Sequence, residues 1–209
     1  MLRFLSAADL PRHAALADEM FRHRTIQFRD RLGWPVNVDA EGRERDQYDD
    51  QAPLYVIWQT PEGGHGGSAR FLPTTGRTMA AEHFSHLTGG GPIRSEGIWE
   101  CTRFCLAPGA EGRVGSALML GGAELMRRFS LTHLLGVFDM SMPRVYRIMG
   151  SVPEVLGSDG AIGVGLWHEN PADRARLLSR SRVSEAQVDA WTEAAFGPLP
   201  GTLPARVAA

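Results

Sequence analysis

The 209-residue chain contains no lysine, because all 22 of its basic residues are arginine. The absence of lysine excludes a Schiff-base nucleophile, a pyridoxal phosphate anchor and a Walker-type phosphate loop. The chain has only two cysteines, Cys101 and Cys105. They are too few for a cysteine metal cage and are poorly placed for a mutual disulfide on one predicted strand. A reducing compartment, and hence a cytoplasmic location, is expected.

Other absences narrow the functional class further. No apolar run reaches the roughly 18 residues of a membrane span, so no stable membrane association is expected. A net charge of -2 and a pI near 6.4 give no basis for whole-surface attraction to nucleic acid. The seven histidines are scattered without ligand spacing, so no metal site is predicted. The length favours one domain over residues 1–196, followed by a loose tail over residues 197–209.

Hydrophobic periodicity predicts a mixed α/β architecture with a central, mainly antiparallel sheet. A helical pattern runs from Ser6 to Gly33, and a polar, acidic segment over residues 35–53 reads as an ordered loop. The remaining predicted elements are a hairpin of Leu54–Trp58 with Ser68–Leu72, a strand over Gly97–Leu106, a helix over Gly115–Phe129, a strand over Leu134–Phe138, a short helix over Val145–Met149, a strand over Ala161–Trp167 and a helix over Ser184–Phe196. The strand–helix–strand crossover implies parallel or splayed neighbours.

Charges of both signs are gathered around aromatic residues in the first half of the chain. Arg24 and Phe28 share one helical face, Trp34 follows the helix, and the acidic run Glu44–Asp50 comes next. A small zwitterionic cation such as S-adenosylmethionine (SAM) needs carboxylates, a guanidinium and aromatic faces in one pocket. The alternative is a surface arginine beside a core phenylalanine, with an ordinary solvated acidic loop.

Glu100 stands inside an apolar strand, where an unpaired carboxylate is costly. It therefore needs an arginine partner or a role as a proton acceptor, and structure and catalysis are both open. Strict strand alternation puts Glu100, Thr102 and Phe104 on one face and Cys101, Arg103 and Cys105 on the other. Glu100 and Arg103 can share a cavity only if a bulge or bend intervenes.

Taken together, these residues resemble the acyl-homoserine-lactone synthases, the LuxI-type autoinducer synthases of quorum sensing. The resemblance covers roughly residues 1–170. It rests on Arg24, Phe28 and Trp34 at the family's spacing, Glu44-x-Asp46-x-x-Asp49, Arg70 followed by Leu72-Pro73-Thr74-Thr75, Phe84, and Glu100-x-x-Arg103-Phe104. It implies the GNAT-like three-layer sandwich, in which a partly splayed sheet is flanked by helices and a V-shaped gap takes the pantetheine arm.

The resemblance also implies the reaction. The amine of SAM attacks the thioester of an acyl-acyl carrier protein, and the carboxylate of SAM then closes the lactone and expels methylthioadenosine. SAM is thus a substrate, and no cofactor is expected. The absence of a nucleophile triad agrees with a reaction that needs no covalent enzyme intermediate.

The resemblance assigns three groups of site residues, and the charge expected to attract an acidic carrier protein suggests a fourth. Glu100, as a general base acting through a water, and Arg103 are the catalytic pair. The SAM set is Arg24, Phe28, Trp34, Asp46, Asp49, Arg70 and Phe84. The acyl and pantetheine set is Thr102, Phe104, Cys105, Leu106, Gly136 and Met140. Docking of the carrier protein is assigned to Arg127, Arg128, Arg144 and Arg147, which could equally be ordinary surface charge.

Two departures from known patterns bear on the acyl donor. Residues 112–117 only partly match the pyrophosphate loop of acetyl-CoA users, which favours a carrier-protein donor without excluding CoA. Gly136 stands where the family has a threonine associated with 3-oxo chains, so a 3-oxo preference is disfavoured; the flanking runs resemble members that handle long, sometimes 3-hydroxylated chains.

Two other functions stay open: a GNAT-type N-acyltransferase using acyl-CoA on another amine, and a non-catalytic regulator that binds SAM or acyl groups.

Overall fold

Seven strands make a single sheet at the centre of the fold. The strands are β1 (Leu2–Ser6), β2 (Leu54–Gln59), β3 (His65–Pro73), β4 (Ile98–Leu106), β5 (His133–Asp139), β6 (Glu154–Ser158) and β7 (Ile162–His168). Their order in the sheet is β1-β2-β3-β4-β5-β7-β6. The structure is a computed structural model and describes residues 1–198. The predicted tail therefore lies outside the described residues from position 199 onward.

Helices cover both faces of this sheet. They are α1 (Ala14–Thr25), α2 (Met79–His83), α3 (Arg113–Phe129), α4 (Met142–Met149), α5 (Pro171–Ser181) and α6 (Glu185–Phe196). A 3₁₀ helix over Ala7–His13 leads into α1, and a π-helical segment over Ile26–Arg31 extends it. Both the backbone N–H and the hydroxyl of Ser6 donate to Asp9 at the start. Gly33, with φ at 69°, follows the last turn, so the predicted helical stretch from Ser6 to Gly33 is confirmed.

The two faces of the sheet bury separate hydrophobic clusters. Along β2, Val56 and Trp58 pack on the α3 side, whereas Tyr55 and Ile57 pack on the α1 side. This alternation follows from the two-residue period of a strand buried on both faces. The result is a helix–sheet–helix sandwich, as predicted.

Strands β4 and β5 separate partway along their length. They run parallel and pair only from Ile98–His133 to Cys101–Gly136, while the other neighbouring strands run antiparallel. Beyond the last pair, β4 continues to Leu106 and β5 to Asp139 without pairing to each other. The predicted crossover and splay are confirmed. Within residues 1–198, the backbone edge of β4 that faces β5 has no strand partner after Cys101.

A β-bulge in β4 changes which side chains share a face. Thr102 pairs with Arg70 and Cys105 pairs with Ser68, so both Arg103 and Phe104 stand opposite Ala69. Arg103 takes a left-handed conformation with φ at 51°. Strict alternation therefore does not hold, and the bulge that would let Glu100 and Arg103 share a cavity is present. The extra residue turns Arg103 to the side of Glu100 and Thr102, and Phe104 to the α3 side.

Four elements were not predicted from the sequence: β1, α2, β6 and α5. Strand β1 is only five residues long and sends Leu2 and Phe4 to one cluster and Leu5 to the other, which hides its alternation. Strand β6 is an edge strand in which Val155 and Leu156 are exposed, so it lacks a buried apolar pattern. Within residues 1–198, no helix combines the length and apolar character that a membrane crossing demands.

Candidate active site

Three arginines and three carboxylates form a closed ring of ion pairs on the α1 side of the sheet. Each arginine bridges two carboxylates, and each carboxylate bridges two arginines. The order around the ring is Glu44, Arg24, Asp49, Arg70, Asp46, Arg103 and back to Glu44. With equal numbers of each sign the ring is formally neutral, and it is termed the charge ring below.

Arg24 and Arg70 anchor the charge ring in the protein interior, where they are 1% and 0% exposed. Arg24 donates from both terminal nitrogens to Asp49 at 2.9 Å each, and from Nε to Glu44 at 2.5 Å. Arg70 donates to both oxygens of Asp46 and, from Nε, to the hydroxyl of Thr102 at 3.0 Å. Burial this complete makes both guanidinium groups supports for the site rather than contacts for a ligand.

The carboxylate of Asp49 is one of the two fully enclosed acids of the charge ring. Burial alone would raise its pKa, but the charge and hydrogen bonds of Arg24, followed by the charge of Arg70, outweigh burial and hold the pKa well below its ordinary value. The hydroxyl of Tyr55 also donates to Asp49 at 2.7 Å. Asp49 is therefore ionised throughout the physiological pH range, and the ring keeps its alternating charges.

Arg103 carries the charge ring to the surface of a cavity. Its Nη2 lies 2.7 Å from Asp46 and 2.9 Å from Glu44, and its guanidinium stands over the ring of Phe28 at 5.3 Å. Phe28 in turn stacks on Trp34, with centroids 5.2 Å apart and planes 13° from parallel. The aromatic and charged groups predicted to wall one ligand are thus brought together.

A cavity of about 370 Å³ begins at this wall and enters the gap between β4 and β5. It continues beneath α3 to the aromatic residues of α4 and β7. Its lining includes Phe28, Trp34, Thr102, Arg103, Phe104, Met119, Gly136, Phe138, Tyr146 and Trp167. Phe28, Trp34 and Arg103 therefore border the same continuous space as three residues of the predicted acyl set, Thr102, Phe104 and Gly136. This space has the size of a small-molecule site.

The lining does not include Glu100, the charge-ring members Arg24, Asp46, Asp49 and Arg70, or the four predicted docking arginines. Four further predicted site residues also lie outside it: Phe84, Cys105, Leu106 and Met140. The thiol of Cys105 points to the carbonyl oxygen of His23 at 3.5 Å, because the bulge turns it to the α1 side. Leu106 packs into the core beneath α3, and Phe84 packs beside the cluster around Leu135. The sulfur of Met140 lies against Gly163 on β7.

Among the lining residues that the sequence analysis does not assign to the site, three are aromatic and lie together: Phe138, Tyr146 and Trp167. In the sequence, only their aromatic character distinguishes them. Phe138 and Trp167 are brought together by the pairing of β5 with β7, and Tyr146 packs on both from α4.

Residues 8–166 match the family model described as autoinducer synthase. The chain belongs to the autoinducer synthase family. An acyl-homoserine-lactone synthase of Rhizobium etli is 40% identical to it over 189 residues, which cover 85% of this chain and 88% of the relative. The resemblance to acyl-homoserine-lactone synthases, and with it the enzyme class, is confirmed.

Solved structures agree with this family and fold. The crystal structure of TofI in a ternary complex with an inhibitor and MTA has 30% identity and a TM-score of 0.70, and covers 90% of this chain and 99% of that one. A CoA-dependent acyl-homoserine lactone synthase, BjaI, with SAM and isopentyl-CoA, has 22% identity and a TM-score of 0.78, covering 88% and 90%. The second likeness bears on the fold alone.

Glu100 of this autoinducer synthase is buried at 0% exposure and is held by a helix terminus. Its two oxygens accept the backbone N–H groups of Met79 (3.1 Å) and Ala80 (2.6 Å) at the start of α2. The expected arginine partner is replaced by these donors. Burial raises the pKa of Glu100 above its ordinary value, although the two backbone hydrogen bonds oppose this. Met79 also lines the cavity, so it contacts both the carboxylate and that space.

The four predicted docking arginines of the synthase do not form one patch. Arg144 and Arg147 on α4 are exposed, and neither pairs with a carboxylate within residues 1–198. Arg127 donates to Glu124 at 2.9 Å, and Arg128 donates to the carbonyl oxygens of Phe196 and Pro198. Since α4 ends against Ser116 near the start of α3, Arg127 stands about 16 Å further along that helix.

Proposed function

We propose that this chain joins an acyl group to the amine of SAM and closes the product to an N-acyl-homoserine lactone, releasing methylthioadenosine. The observation that carries this proposal is the single cavity that runs from Arg103, Phe28 and Trp34 into the gap between β4 and β5. A sulfonium amino acid at the charged end and a thioester in the gap would meet within one enclosure. Holding both reactants there supplies the proximity that an amide-forming step requires.

The charged end is suited to SAM as a substrate. Arg103 and Asp46 are the partly exposed members of the charge ring, at 11% and 9% of their side chains. The guanidinium would bind the carboxylate of SAM, and Asp46 its ammonium group, while Phe28 and Trp34 offer ring faces to the sulfonium and the adenine. The MTA bound by TofI, which is 30% identical to this chain, supports this assignment.

The gap between the splayed strands is suited to the thioester. The edge of β4 that faces β5 has no strand partner after Cys101, so backbone N–H groups of this edge are available. Donors fixed in a folded strand need no reorganisation when charge develops on the thioester oxygen. Thr102, Phe104 and Gly136 would then contact the pantetheine and the first carbons of the acyl chain. Cys105, Leu106 and Met140 would act only indirectly, through packing.

Glu100 is the group we assign to deprotonate the ammonium of SAM before attack, through a water. Burial raises its pKa, which makes it a better proton acceptor than a solvated carboxylate. Its hydrogen bonds to the start of α2 fix its position and would also support α2. Glu100 can therefore act as the base and also stabilise α2. The Glu100→Gln variant distinguishes the two roles.

An acyl-acyl carrier protein is the donor we favour over acyl-CoA. CoA users bind pyrophosphate at the first turn of the helix after β4, where backbone N–H groups point outward. Here the end of α4 covers that turn: Ser116 donates to the carbonyl of Met149 at 2.9 Å, and the Met149 side chain lies against Gly115. The exposed Arg144 and Arg147 would attract an acidic carrier protein. BjaI is CoA-dependent, so acyl-CoA is the competing donor.

We further place the reaction in the cytoplasm, within one catalytic domain over residues 1–196. Cys101 and Cys105 are both free thiols, as is usual for reducing compartments.

The decisive experiment incubates purified protein with SAM and donors from C4 to C16, as acyl-acyl carrier proteins and as acyl-CoAs. Mass spectrometry should detect methylthioadenosine and an N-acyl-homoserine lactone in equal amounts. Asp46→Asn provides the matched negative control, because it removes the charge expected to hold the SAM amine. A wild-type protein that gives no lactone with any donor would refute the proposal.

A further inference from the structure

One hydroxyl in the apolar part of the cavity is left without a partner. Tyr146 lies on α4, lines the cavity and is 9% exposed. The other two tyrosine hydroxyls of the chain donate at 2.7 Å, Tyr48 to Glu82 and Tyr55 to Asp49. The hydroxyl of Tyr146 makes no hydrogen bond to any of residues 1–198. Burial raises its pKa, with the thiol of Cys101 as a second cause, so the hydroxyl stays protonated and can both donate and accept.

Tyr146 stands at the apex of the gap between β4 and β5. Its ring packs edge-on against Trp167, with centroids 5.1 Å apart, and against Phe138 at 5.6 Å. The Trp167 ring in turn lies over Gly136, where its Cζ3 is 2.8 Å from the place a Cβ would occupy. Gly136 pairs with Cys101 in the last pair before the two strands separate.

The Trp167 ring that packs against Tyr146 carries a second unpaired polar group. The indole N–H of Trp167 is buried and has no acceptor among residues 1–198. Buried polar groups in folded proteins nearly always have a partner, from the protein, from water or from a ligand. The indole N–H of Trp167 is such an exception, and the hydroxyl of Tyr146, which is open to the cavity, has no partner among residues 1–198. Together they point to an oxygen that the substrate brings.

We propose that Tyr146 selects acyl donors that carry an oxygen substituent close to the thioester. The inference rests on the proposed function, since a pantetheine arm in the gap would bring the thioester to the apex and the next chain carbons past Tyr146. A plain alkyl chain would exclude water from the hydroxyl and leave it unpaired. A hydroxyl or oxo oxygen on the chain would replace the lost hydrogen bond. Gly136 has no side chain to serve this purpose, so the group is supplied from α4.

The test compares three donors of one chain length: unsubstituted, 3-hydroxy and 3-oxo. The wild type should prefer an oxygen-bearing donor by about tenfold or more in kcat/KM, as expected for one buried hydrogen bond. Tyr146→Phe removes a single oxygen and keeps the ring. It should lower kcat/KM for the preferred donor by about tenfold and leave the unsubstituted donor unchanged or improved. Comparison of the 3-hydroxy donor with the 3-oxo donor shows whether Tyr146 recognises a hydroxyl or a carbonyl oxygen.

Met142→Leu is the matched control, because Met142 lines the same cavity without a strong hydrogen-bonding group. It should change kcat/KM for all three donors in parallel. A wild type without preference among the donors would overturn the inference, whatever the folding of the variant. So would a Tyr146→Phe variant that slows all three donors equally. Product without preference refutes this inference alone, whereas no product from any donor refutes the proposed function and the inference with it.

Discussion

Arg103 donates two hydrogen bonds to a single oxygen of Glu44, from Nε at 3.1 Å and from Nη2 at 2.9 Å. The two residues are 59 positions apart, and their contact ties the acidic loop to the sheet. It depends on one backbone irregularity, the left-handed conformation of Arg103 in the β4 bulge. Without the extra residue, the guanidinium would lie on the α3 side and the charge ring would stay open.

The first prediction concerns the forked geometry of Arg103. Arg103→Lys keeps the charge but cannot reach Glu44, Asp46 and a substrate carboxylate at once. We expect SAM affinity, measured by isothermal titration calorimetry, to fall about 10- to 100-fold, the range for hydrogen bonds to charged groups. Arg43→Lys in the same loop is the control, because Arg43 is partly exposed and pairs with Asp39 and Glu41 outside the charge ring. Equal SAM affinity in both variants would show that the planar guanidinium of Arg103 is not needed to bind SAM.

The second prediction concerns the pH dependence of stability. The pKa of Asp49 is lowered in the folded protein, so its contribution is present above the unfolded pKa of about 3.9 and is lost as pH falls. Asp49→Asn should therefore flatten the decline of Tm below about pH 4. At pH 7 it should cost roughly 3–5 kcal/mol of unfolding free energy, because Arg24 and Arg70 lose a buried partner. The control is Asp30→Asn, which removes the carboxylate of an exposed ion pair with Arg29 and should leave the curve near wild type. An Asp49→Asn curve with the wild-type slope would refute the linkage.

The parts of the charge ring could be predicted from the sequence, whereas its closure could not. Arg24, Glu44, Asp46 and Asp49 stand out because charges cluster beside aromatic residues over a short stretch. Closure depends on Arg103 taking a positive φ, which an arginine rarely adopts and which no local pattern signals. The sequence indicates a bulge or bend only as the condition for Glu100 and Arg103 to share a cavity, and it gives no position for it.

The end of the cavity formed by Tyr146 and Trp167 could not be predicted from the sequence, for a different reason. Tyr146 and Trp167 meet only because β7 inserts between β5 and β6, an order that hydrophobic periodicity does not specify. Their ring contact also needs Gly136 beneath Trp167, so three residues from β5, α4 and β7 define one subsite. Tertiary pairing of this kind is absent from any local sequence window.

The third prediction separates the two roles of Glu100. Glu100→Gln removes the proton acceptor but retains one carbonyl oxygen for the N–H groups of α2. If Glu100 acts as the base, SAM binding should persist while amide formation slows by about 100-fold or more in rapid-quench assays. Turnover should also lose its dependence on an ionisation raised above the ordinary glutamate pKa. Normal turnover with a lowered Tm would make Glu100 a purely structural support of α2.

The fourth prediction concerns the contact between Gly136 and Trp167. A Cβ at position 136 would lie 2.8 Å from Cζ3 of Trp167, so Gly136→Thr must displace the indole. We expect about 1–3 kcal/mol of lost stability by chemical denaturation, together with a changed preference for acyl donors. Gly112→Ala is the control, since nothing lies within 4 Å of its Cβ position and its φ is -56°. A Gly136→Thr protein with wild-type stability and donor preference would show that the indole does not shape this subsite.

The fifth prediction concerns the choice of donor. Arg144 and Arg147 flank the exposed apolar side chains Val145 and Ile148 on α4, so a charged and an apolar surface coincide there. The double variant Arg144→Glu/Arg147→Glu should raise KM for acyl-acyl carrier protein about tenfold or more at low salt, because it replaces attraction to an acidic partner by repulsion. Turnover with acyl-CoA and the affinity for SAM should change little.

Arg180→Glu on α5 is the control for this surface, because it reverses an exposed charge on another helix. Raising the salt concentration should weaken the wild type toward the double variant, since screening removes the steering that the arginines provide. Equal losses with both donors would instead place Arg144 and Arg147 in the shared acyl site or in folding. Unchanged kinetics would move the docking surface away from α4, leaving the covered first turn of α3 as the feature that disfavours CoA.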